Sequence, residues 1–564
     1  MLTAAPACCR LFPVLLFALA TPLVAGAVEL QAPSAIVDLL TPFLPEETAS
    51  SGRLQVQLSE ILATEGYFSP EFDFSDRDGE LLLKLDPGPR TSISEVTVAV
   101  DGPLEAKARE ALIAGWRLPV GQPFRQEDWS TAKQQILSEL LANEHAAAKL
   151  VDSAAEIDTE ARKAKLSARY DAGPRYRFGE MRIEGLERYS PELVQRYNRA
   201  VQPGDPYRED RLNALQSTLQ STPYFSSVQA TLDPEAIDDD GDGTVTAPVL
   251  LRVRERQPHR VGFGVGASSN TGARVEVNYQ TPDLFNQAWE LSSGLRLEQK
   301  RQTAYADVFL PPDSKNRRHS VGIMAEGNDI QGLKTERYAF GAQTRQQRGS
   351  IEQRLSLNWQ QERREPDGSE PVTSRALVPN VMWTWRKVDN LIDPHDGIVL
   401  QAQIGGGAKA ALSDQNFARL HGRWLQYVPL GRVDTLTLRA EIGYTAADSR
   451  QHIPQDYLFR TGGTGSVRGY AYQSLGIKEG TATVGGRYLG LASIEATHWL
   501  DESWGIAAFV DAGDAVDDLS EVKLAVGYGL GARWRSPAGP IGVDLAYGQR
   551  TGEIHLHFAL AIPF

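Results

Sequence analysis

The sequence predicts a transmembrane antiparallel β-barrel of about 16 strands, preceded by three small α/β domains in tandem. Three observations carry that reading. Two short motifs recur within the first 258 positions, at spacings of 83 and 85 residues, which marks tandem small domains and not one large fold. Beyond that point the pattern turns to alternation of apolar with polar or small residues. No apolar run is long enough for a helical membrane bundle.

Composition sets the outer bounds. Hydrophobic residues make up 41% of the 564, enough for packed cores. The 58 Lys+Arg stand against 72 Asp+Glu, and a net charge of −14 argues against a nucleic-acid binder. A mean hydropathy of −0.32 still allows a β-barrel, whose lipid face takes only every second residue. Residues 1–27 carry one charged side chain, Arg10, then the apolar stretch Leu11 to Ala20, and close on Ala25-Gly26-Ala27. That is the layout of a signal peptide, so the chain is expected to be exported across a bacterial inner membrane. Both cysteines, Cys8 and Cys9, fall inside it. The remainder has no thiol for a disulfide, a zinc site or a nucleophile.

The repeats place the domain edges. Gly121-Gln122-Pro123-Phe124-Arg125 is matched by Gly204-Asp205-Pro206-Tyr207-Arg208, and each leads into a helical stretch, 129–141 and 210–222. Strand patterns precede them at 93–100 and 176–183. Asp86-Pro87-Gly88-Pro89-Arg90 and Asp171-Ala172-Gly173-Pro174-Arg175 close two units alike, and Arg256-Gln257-Pro258 marks a third boundary. The first unit is more divergent, but its Gly66-Tyr67-Phe68 after a helix and its closing strand at 81–85 fit. The expected domains are 28–89, 90–175, 176–258 and a barrel at 259–564.

The alternation names the faces. Val526, Tyr528, Leu530 and Trp534 alternate with Ala525, Gly527, Gly529, Gly531 and Arg533, and Ile554, Leu556 and Phe558 with His555 and His557. Strands of a soluble sandwich alternate as well. Here, however, aromatics end the apolar face while the other face holds glycine, charge and histidine, which suits a lipid-facing outside and a polar lumen. Of the 50 glycines 36 follow residue 260, as do eight of the ten tryptophans, so interface aromatics and a lumen with room for an insertion are both expected.

The segment Gly462-Gly463-Thr464-Gly465-Ser466-Val467-Arg468-Gly469-Tyr470 resembles the V-R-G-[FY] loop of the BamA/TamA superfamily of outer-membrane assembly barrels. Phe509-Val510-Asp511-Ala512-Gly513 resembles that superfamily's F-x-D-x-G strand, and the repeated domains resemble its polypeptide-transport-associated (POTRA) domains. Three such domains and this length look like the TamA family, the outer-membrane subunits of translocation and assembly modules. The resemblance implies a bacterial outer-membrane location with periplasmic POTRA domains. It also implies unfolded outer-membrane protein or autotransporter clients, contact with outer-membrane lipid, an inner-membrane-anchored TamB-like partner, and a connection with phospholipid movement. Two-partner-secretion transporters, the alternative, typically have two POTRA domains instead of three, plus an N-terminal plug helix and a linker that are not read here.

Site residues follow. In the resembled family the Val467-Arg468-Gly469-Tyr470 loop folds into the lumen, and its arginine meets carboxylates of the inner wall. Asp511 has lumen parity, and Glu495 on the preceding strand is the second candidate; one guanidinium can fork to both. At the barrel's ends, Gly262, Gly264 and Gly266 share one face of the first strand, while Pro563, before the terminal Phe564, has no N–H for a ladder. Closure there is expected to be weakest, and the resemblance implies a seam that opens sideways. Asp238 to Gly243 opens like a calcium loop but has Val249 where a glutamate ligand belongs, so a solvated turn is expected. His555 and His557 make two ligands without a third, hence lumen lining. No catalytic motif is found, and neither enzyme activity, cofactor nor metal is expected.

Overall fold

A computed structural model describes residues 28–45, 50–77, 80–233, 237–241, 243–536 and 539–560. The expected signal peptide, Pro563 and Phe564 lie outside them. Two compact units make up the chain. One runs to Arg182 and takes in Ala200–Leu215 and Ala230–Leu251; the other holds Ile183–Arg199, Gln216–Gln229 and the chain from Arg252 onward.

The first α/β domain has β1 (Val28–Gln31), α1 (Ser34–Leu40), α2 (Ser51–Thr64), β2 (Glu71–Arg77) and β3 (Glu80–Asp86). Leu54, Leu58 and Leu62 recur every fourth residue, so they line one face of α2 and pack on Leu83 and Leu85 of the sheet. The second domain repeats the plan with β4 (Ser92–Asp101), α3 (Ala106–Ala114), α4 (Gln126–Ala142), β5 (Lys149–Asp158) and β6 (Lys163–Asp171). Glu127 and Asp128 favour the positive N-terminal end of α4, whose Trp129, Ala132, Ile136 and Leu140 form the buried stripe. The third has β7 (Arg175–Glu184), α5 (Pro191–Tyr197), α6 (Glu209–Gln220), β8 (Phe225–Leu232), β9 (Asp238–Asp239) and β10 (Thr244–Glu255). In all three sheets the last strand is central (β1-β3-β2, β4-β6-β5 and β7-β10-β8), and β9 also pairs with β10. Of the calcium-like segment, Asp238 and Asp239 form β9, with Asp239 beside Val245, and Asp240 accepts a hydrogen bond from Thr246; Asp242 lies outside the described residues.

The repeated Gly-x-Pro-aromatic-Arg motif sits where one domain meets the next. The loop after α2 docks on its first copy: Thr91 N–H donates to the Gly66 carbonyl (2.9 Å), and Phe124 N–H to the Thr91 carbonyl (2.8 Å). Gly66 has φ +90°, and a Cβ there would lie 2.2 Å from the Phe124 oxygen, so only glycine fits. Beside it Arg125 forks to both Glu65 oxygens at 2.9 and 3.0 Å, and Arg90 adds a third contact. The loop after α4 uses the second copy. Glu144 N–H donates to the Tyr207 carbonyl, Tyr176 N–H to the Glu144 carbonyl, and the Phe178 and Tyr207 rings meet edge to face at 5.5 Å.

The second unit is dominated by a meander of sixteen antiparallel strands. They are β11 (Arg260–Ser268), β12 (Gly272–Leu284), β13 (Trp289–Glu298), β14 (Arg301–Phe309), β15 (Arg317–Ile330), β16 (Leu333–Arg348), β17 (Ile351–Pro366), β18 (Val372–Val388), β19 (Gly397–Gly407), β20 (Phe417–Leu430) and β21 (Asp434–Ala446). After a long insertion containing the hairpin β22 (Ile477–Glu479) and β23 (Ala482–Val484) come β24 (Tyr488–Trp499), β25 (Trp504–Val516), β26 (Ala525–Ser536), β27 (Gly539–Gly548) and β28 (Glu553–Leu560). Phe263, Leu355, Trp383, Leu530 and Ile554 stand exposed on the outer face, the apolar surface a bilayer covers. Glu326, Arg337, Glu362 and Arg364 are buried on the inner one. None of the described helices is long and apolar enough to cross a membrane; strands do the crossing. Within this unit Tyr224, after α6, donates its hydroxyl to the Ala288 carbonyl in the turn before β13.

The Glu65 contact is pH-sensitive. The hydrogen bond from Arg125, more than any other influence, holds its carboxyl below the ordinary value of 4.5. A carboxyl depressed on folding contributes its full stabilisation above the unfolded pKa and loses it as pH falls through the folded one. Proteolysis of the loop at 64–66 should therefore accelerate as pH drops below 4.5. Glu65→Gln should cleave fast at pH 7 and change little on acidification. Equal acid sensitivity in both proteins would refute the assignment.

Candidate functional site

The insertion between β21 and β24 folds back inside the barrel, where its loop meets side chains of β24, β25 and β27. At its core is Arg468, 5% exposed. Its backbone N–H and Nε both donate to Asp511 Oδ2 (3.0 and 2.7 Å), and Nη2 donates to Oδ1 (2.9 Å). Nη1 reaches Glu495 Oε2 at 2.5 Å and Asp544 Oδ2 at 3.2 Å. Ser493 Oγ donates to the second Asp511 oxygen. Asp511 is fully buried, so its charge is met entirely by these donors. Below them the Arg468 guanidinium lies 3.4 Å from the centre of the Phe509 ring. Arg533 on β26 bridges the remaining oxygens of Glu495 and Asp544, closing a network of two guanidiniums and three carboxylates.

The wall is shaped to the loop. At Gly527 a Cβ would lie 1.8 Å from the Arg468 carbonyl oxygen, and at Gly548 2.2 Å from that of Gly469. These lumen-facing glycines are the seat of the loop backbone. Val467 and Tyr470 are buried, and Tyr470 donates its hydroxyl to the Val526 carbonyl. Arg439 on β21 caps the tip, donating to the carbonyls of Gly465 (2.7 Å) and Ser466 (2.6 Å).

The same loop reaches both ends of the sheet. Gly469 N–H donates to His557 Nε2 on β28 at 2.9 Å, which makes Nε2 the unprotonated ring nitrogen. Thr464 Oγ1 contacts Asn270 and Ser269, in the hairpin joining β11 to β12. Ser269 Oγ in turn bonds the backbone N and O of Phe558 at 3.2 and 3.3 Å. Among the described residues no backbone ladder joins β11 to β28. Gly262, Gly264 and Gly266 occupy β11 with Phe263 and Val265 exposed outward between them. Around Gly262 there is open space within 4 Å of a Cβ, while at Gly266 the Arg274 side chain is close.

Sequence reasoning missed Arg533 and Arg439, the part played by His557, and Asp544 as a partner of Arg468, although Gly539-Pro540 with Asp544 fits the superfamily pattern. Asp544 and Arg533 share lumen parity with Gly542 and Gly531, and His557 with His555, and that parity was the available signal; which loop atoms they meet has none. Among the described residues no group of three or more His, Cys, Asp or Glu is arranged to hold a metal.

Residues 257–564 match the Omp85 superfamily domain, more than half the chain. The chain belongs to the Omp85 superfamily. Residues 176–256 match the POTRA model, described as a surface antigen variable number repeat. One domain is thus matched where three were expected; the first two lie outside it. BamA, the outer membrane protein assembly factor of Nitratidesulfovibrio vulgaris, is 24% identical over 407 residues, 66% of this chain and 49% of that protein. The chain therefore spans about half the length of that relative. BamA from Haemophilus ducreyi lacking POTRA domains 1–3 has the same fold, with a TM-score of 0.68 at 18% identity, over 83% of this chain and 99% of that one. CdiB from Acinetobacter baumannii aligns at a TM-score of 0.45 and 13% identity, over 95% and 99%. An Omp85 barrel with a POTRA domain implies a bacterial outer membrane, with that domain in the periplasm.

Removing Arg468 leaves Asp511 buried without its counter-charge, a loss of roughly 3–5 kcal/mol. Arg468→Ala should lower the barrel's unfolding temperature in detergent far more than Lys523→Ala, and Arg468→Lys should recover only part, since lysine lacks the fork. Gly527→Ala should expose the loop to protease with every charge intact. Unchanged cleavage in Gly527→Ala would show that the loop is not seated there.

Proposed function

We propose that this protein is a TamA-like assembly factor, inserting or translocating outer-membrane proteins such as autotransporters through a seam between β11 and β28. The observation that carries the reading is that seam. Side-chain contacts of Ser269 and Thr464 stand where neighbouring strands elsewhere exchange backbone hydrogen bonds. An unpaired strand edge offers a row of N–H and C=O groups to an incoming strand. The Arg468 loop supplies the control, because its Gly469 and Thr464 hold the two ends near one another. The Val467-Arg468-Gly469-Tyr470 loop, Asp511 and Glu495 are the lock; Gly262, Gly264, Gly266, Pro563 and Phe564 belong to the gate.

The domain boundaries at 27, 89, 175 and 258 belong to the same proposal, with residues 28–89 and 90–175 as further POTRA domains. Supporting this are the strand order shared with the matched third domain and the use of one motif at both junctions. Three such domains form a periplasmic arm that handles unfolded clients and meets an inner-membrane-anchored TamB-like protein; outer-membrane lipid surrounds the barrel. The protein acts without chemistry of its own, with no cofactor.

Two measurements test the reading. Counting antiparallel from the Ser269–Phe558 contact sets position 560 beside position 267. A disulfide between Ala267→Cys and Leu560→Cys should abolish client assembly when oxidised and restore it on reduction; full activity in a verified crosslink would sink the gate. Crosslinking in the native envelope, followed by mass spectrometry, should recover a large inner-membrane-anchored protein. Recovery of one abundant secreted substrate instead would make the protein a two-partner-secretion transporter.

A further inference from the structure

Apart from the Arg468 network, the lumen wall formed by β16 to β20 carries a cavity of about 740 Å³ with the reverse charge. Four arginines line it: Arg345, Arg354, Arg386 and Arg423, on β16, β17, β18 and β20. Arg345 and Arg354 are direct cross-strand neighbours, an arrangement that costs energy unless an anion lies between them. One carboxylate does so: Glu352 accepts from Arg345 at 2.5 Å and from Arg354 at 3.1 Å. It is the only acidic residue lining the cavity. Among the described residues neither Arg386 nor Arg423 has a carboxylate within ion-pair distance. Glu441 is the cross-strand neighbour of Arg423, but its carboxylate is taken by His421 at 2.8 Å. The Nε atoms of Arg354 and Arg423 are buried without a hydrogen-bond partner.

The cavity has a cover. The turn from Asp389 to Asp396, between β18 and β19, is braced internally by Asp389 Oδ1, which accepts the N–H groups of Asn390, His395 and Asp396. It is tied to distant strands as well. Asp393 accepts from Arg535 at the end of β26, whose guanidinium lies 3.5 Å from the Trp499 ring centre, and His395 bonds Thr435 on β21. The turn places Asn390, Leu391 and Pro394 on the cavity, opposite the arginines, and Val399, Leu425 and Tyr427 complete an apolar side.

We propose that this cavity is a binding site for a phosphate group, free or as an organic ester, held by Arg386, Arg423 and Arg354 beneath the 389–396 turn. The charge count selects the ligand. Four guanidiniums less one carboxylate leave three positive charges, more than a single carboxylate neutralises. A phosphate monoester brings close to two negative charges and enough oxygens for several guanidinium forks. The apolar side gives the organic part of an ester somewhere to lie.

The test is calorimetric titration of the full-length protein in detergent with inorganic phosphate and with phenyl phosphate. Saturable binding of at least one is expected, weakened at least tenfold in Arg386→Gln/Arg423→Gln and unchanged in Arg363→Gln, which lies at the other end of β17. Tighter binding of phenyl phosphate identifies an ester as the ligand, and equal binding identifies free phosphate; both support the site. If the double variant does not fold, Arg386→Gln alone, at an exposed strand end, carries the comparison. The proposal is overturned if neither phosphate saturates the wild type, if the variants bind as it does, or if poly-glutamate binds while both phosphates fail.

Discussion

A guanidinium buried inside a barrel must be answered by carboxylates, and much of this structure's upper half is arranged around that demand. Arg468 cannot shed its charge, so burial at 5% exposure is tolerable only because Nε, Nη1 and Nη2 all donate to carboxylates. Asp511, Glu495 and Asp544 come from three strands, β25, β24 and β27, and the arginine therefore ties three staves of the wall to one loop. Arg533 holds the other oxygen of Glu495 and of Asp544, so no carboxylate of the set is left to Arg468 alone, and at Asp511 Ser493 assists.

Charge fixes the head of the loop; steric fit fixes its path. The glycines at 527 and 548 let two backbones approach within distances that any side chain would block. Once seated, the loop carries Gly469 to His557 and Thr464 to Asn270, one contact for each end of the sheet. A strong polar network in the wall thus lies next to weak, side-chain-mediated contacts at the seam. That contrast is what a device needs if it opens at one line without losing the rest of its fold. The cavity on the β16–β20 wall has the opposite imbalance, with guanidiniums in excess.

How much of this the sequence revealed follows from the kind of information involved. Periodicity reports which face a residue occupies, so the lumen side of Asp511, Glu495 and the β11 glycines was readable from alternation. Repeats report domains, so Gly121 to Arg125 and Gly204 to Arg208 exposed the tandem plan, while the docking role of Phe124 and Tyr207 needed coordinates. Loop geometry leaves no period. Nothing along the chain pairs Thr464 with Asn270, or Arg439 with the carbonyls of Gly465 and Ser466. Asp544 stood out only through its place after Gly539-Pro540, which does not reveal its partner, and Arg533 had the right parity but no local mark to separate it from other lumen charges. His557 looked like lining because its partner is a backbone N–H, invisible to any count of ligating side chains. Strand register at the seam was equally hidden: Phe558, six residues before Phe564, is the position beside Ser269.

The central claim is a contrast between a pinned loop and an unladdered seam in one barrel, and amide hydrogen exchange reads both at once. In lipid nanodiscs, the Arg468 and Gly469 amides should exchange as slowly as those of β25 and β26. The amides of β11 that point away from β12 should exchange much faster than the two-sided strands β16 and β17. A loop exchanging as fast as the β11 edge, or an edge as protected as β16, would contradict the account.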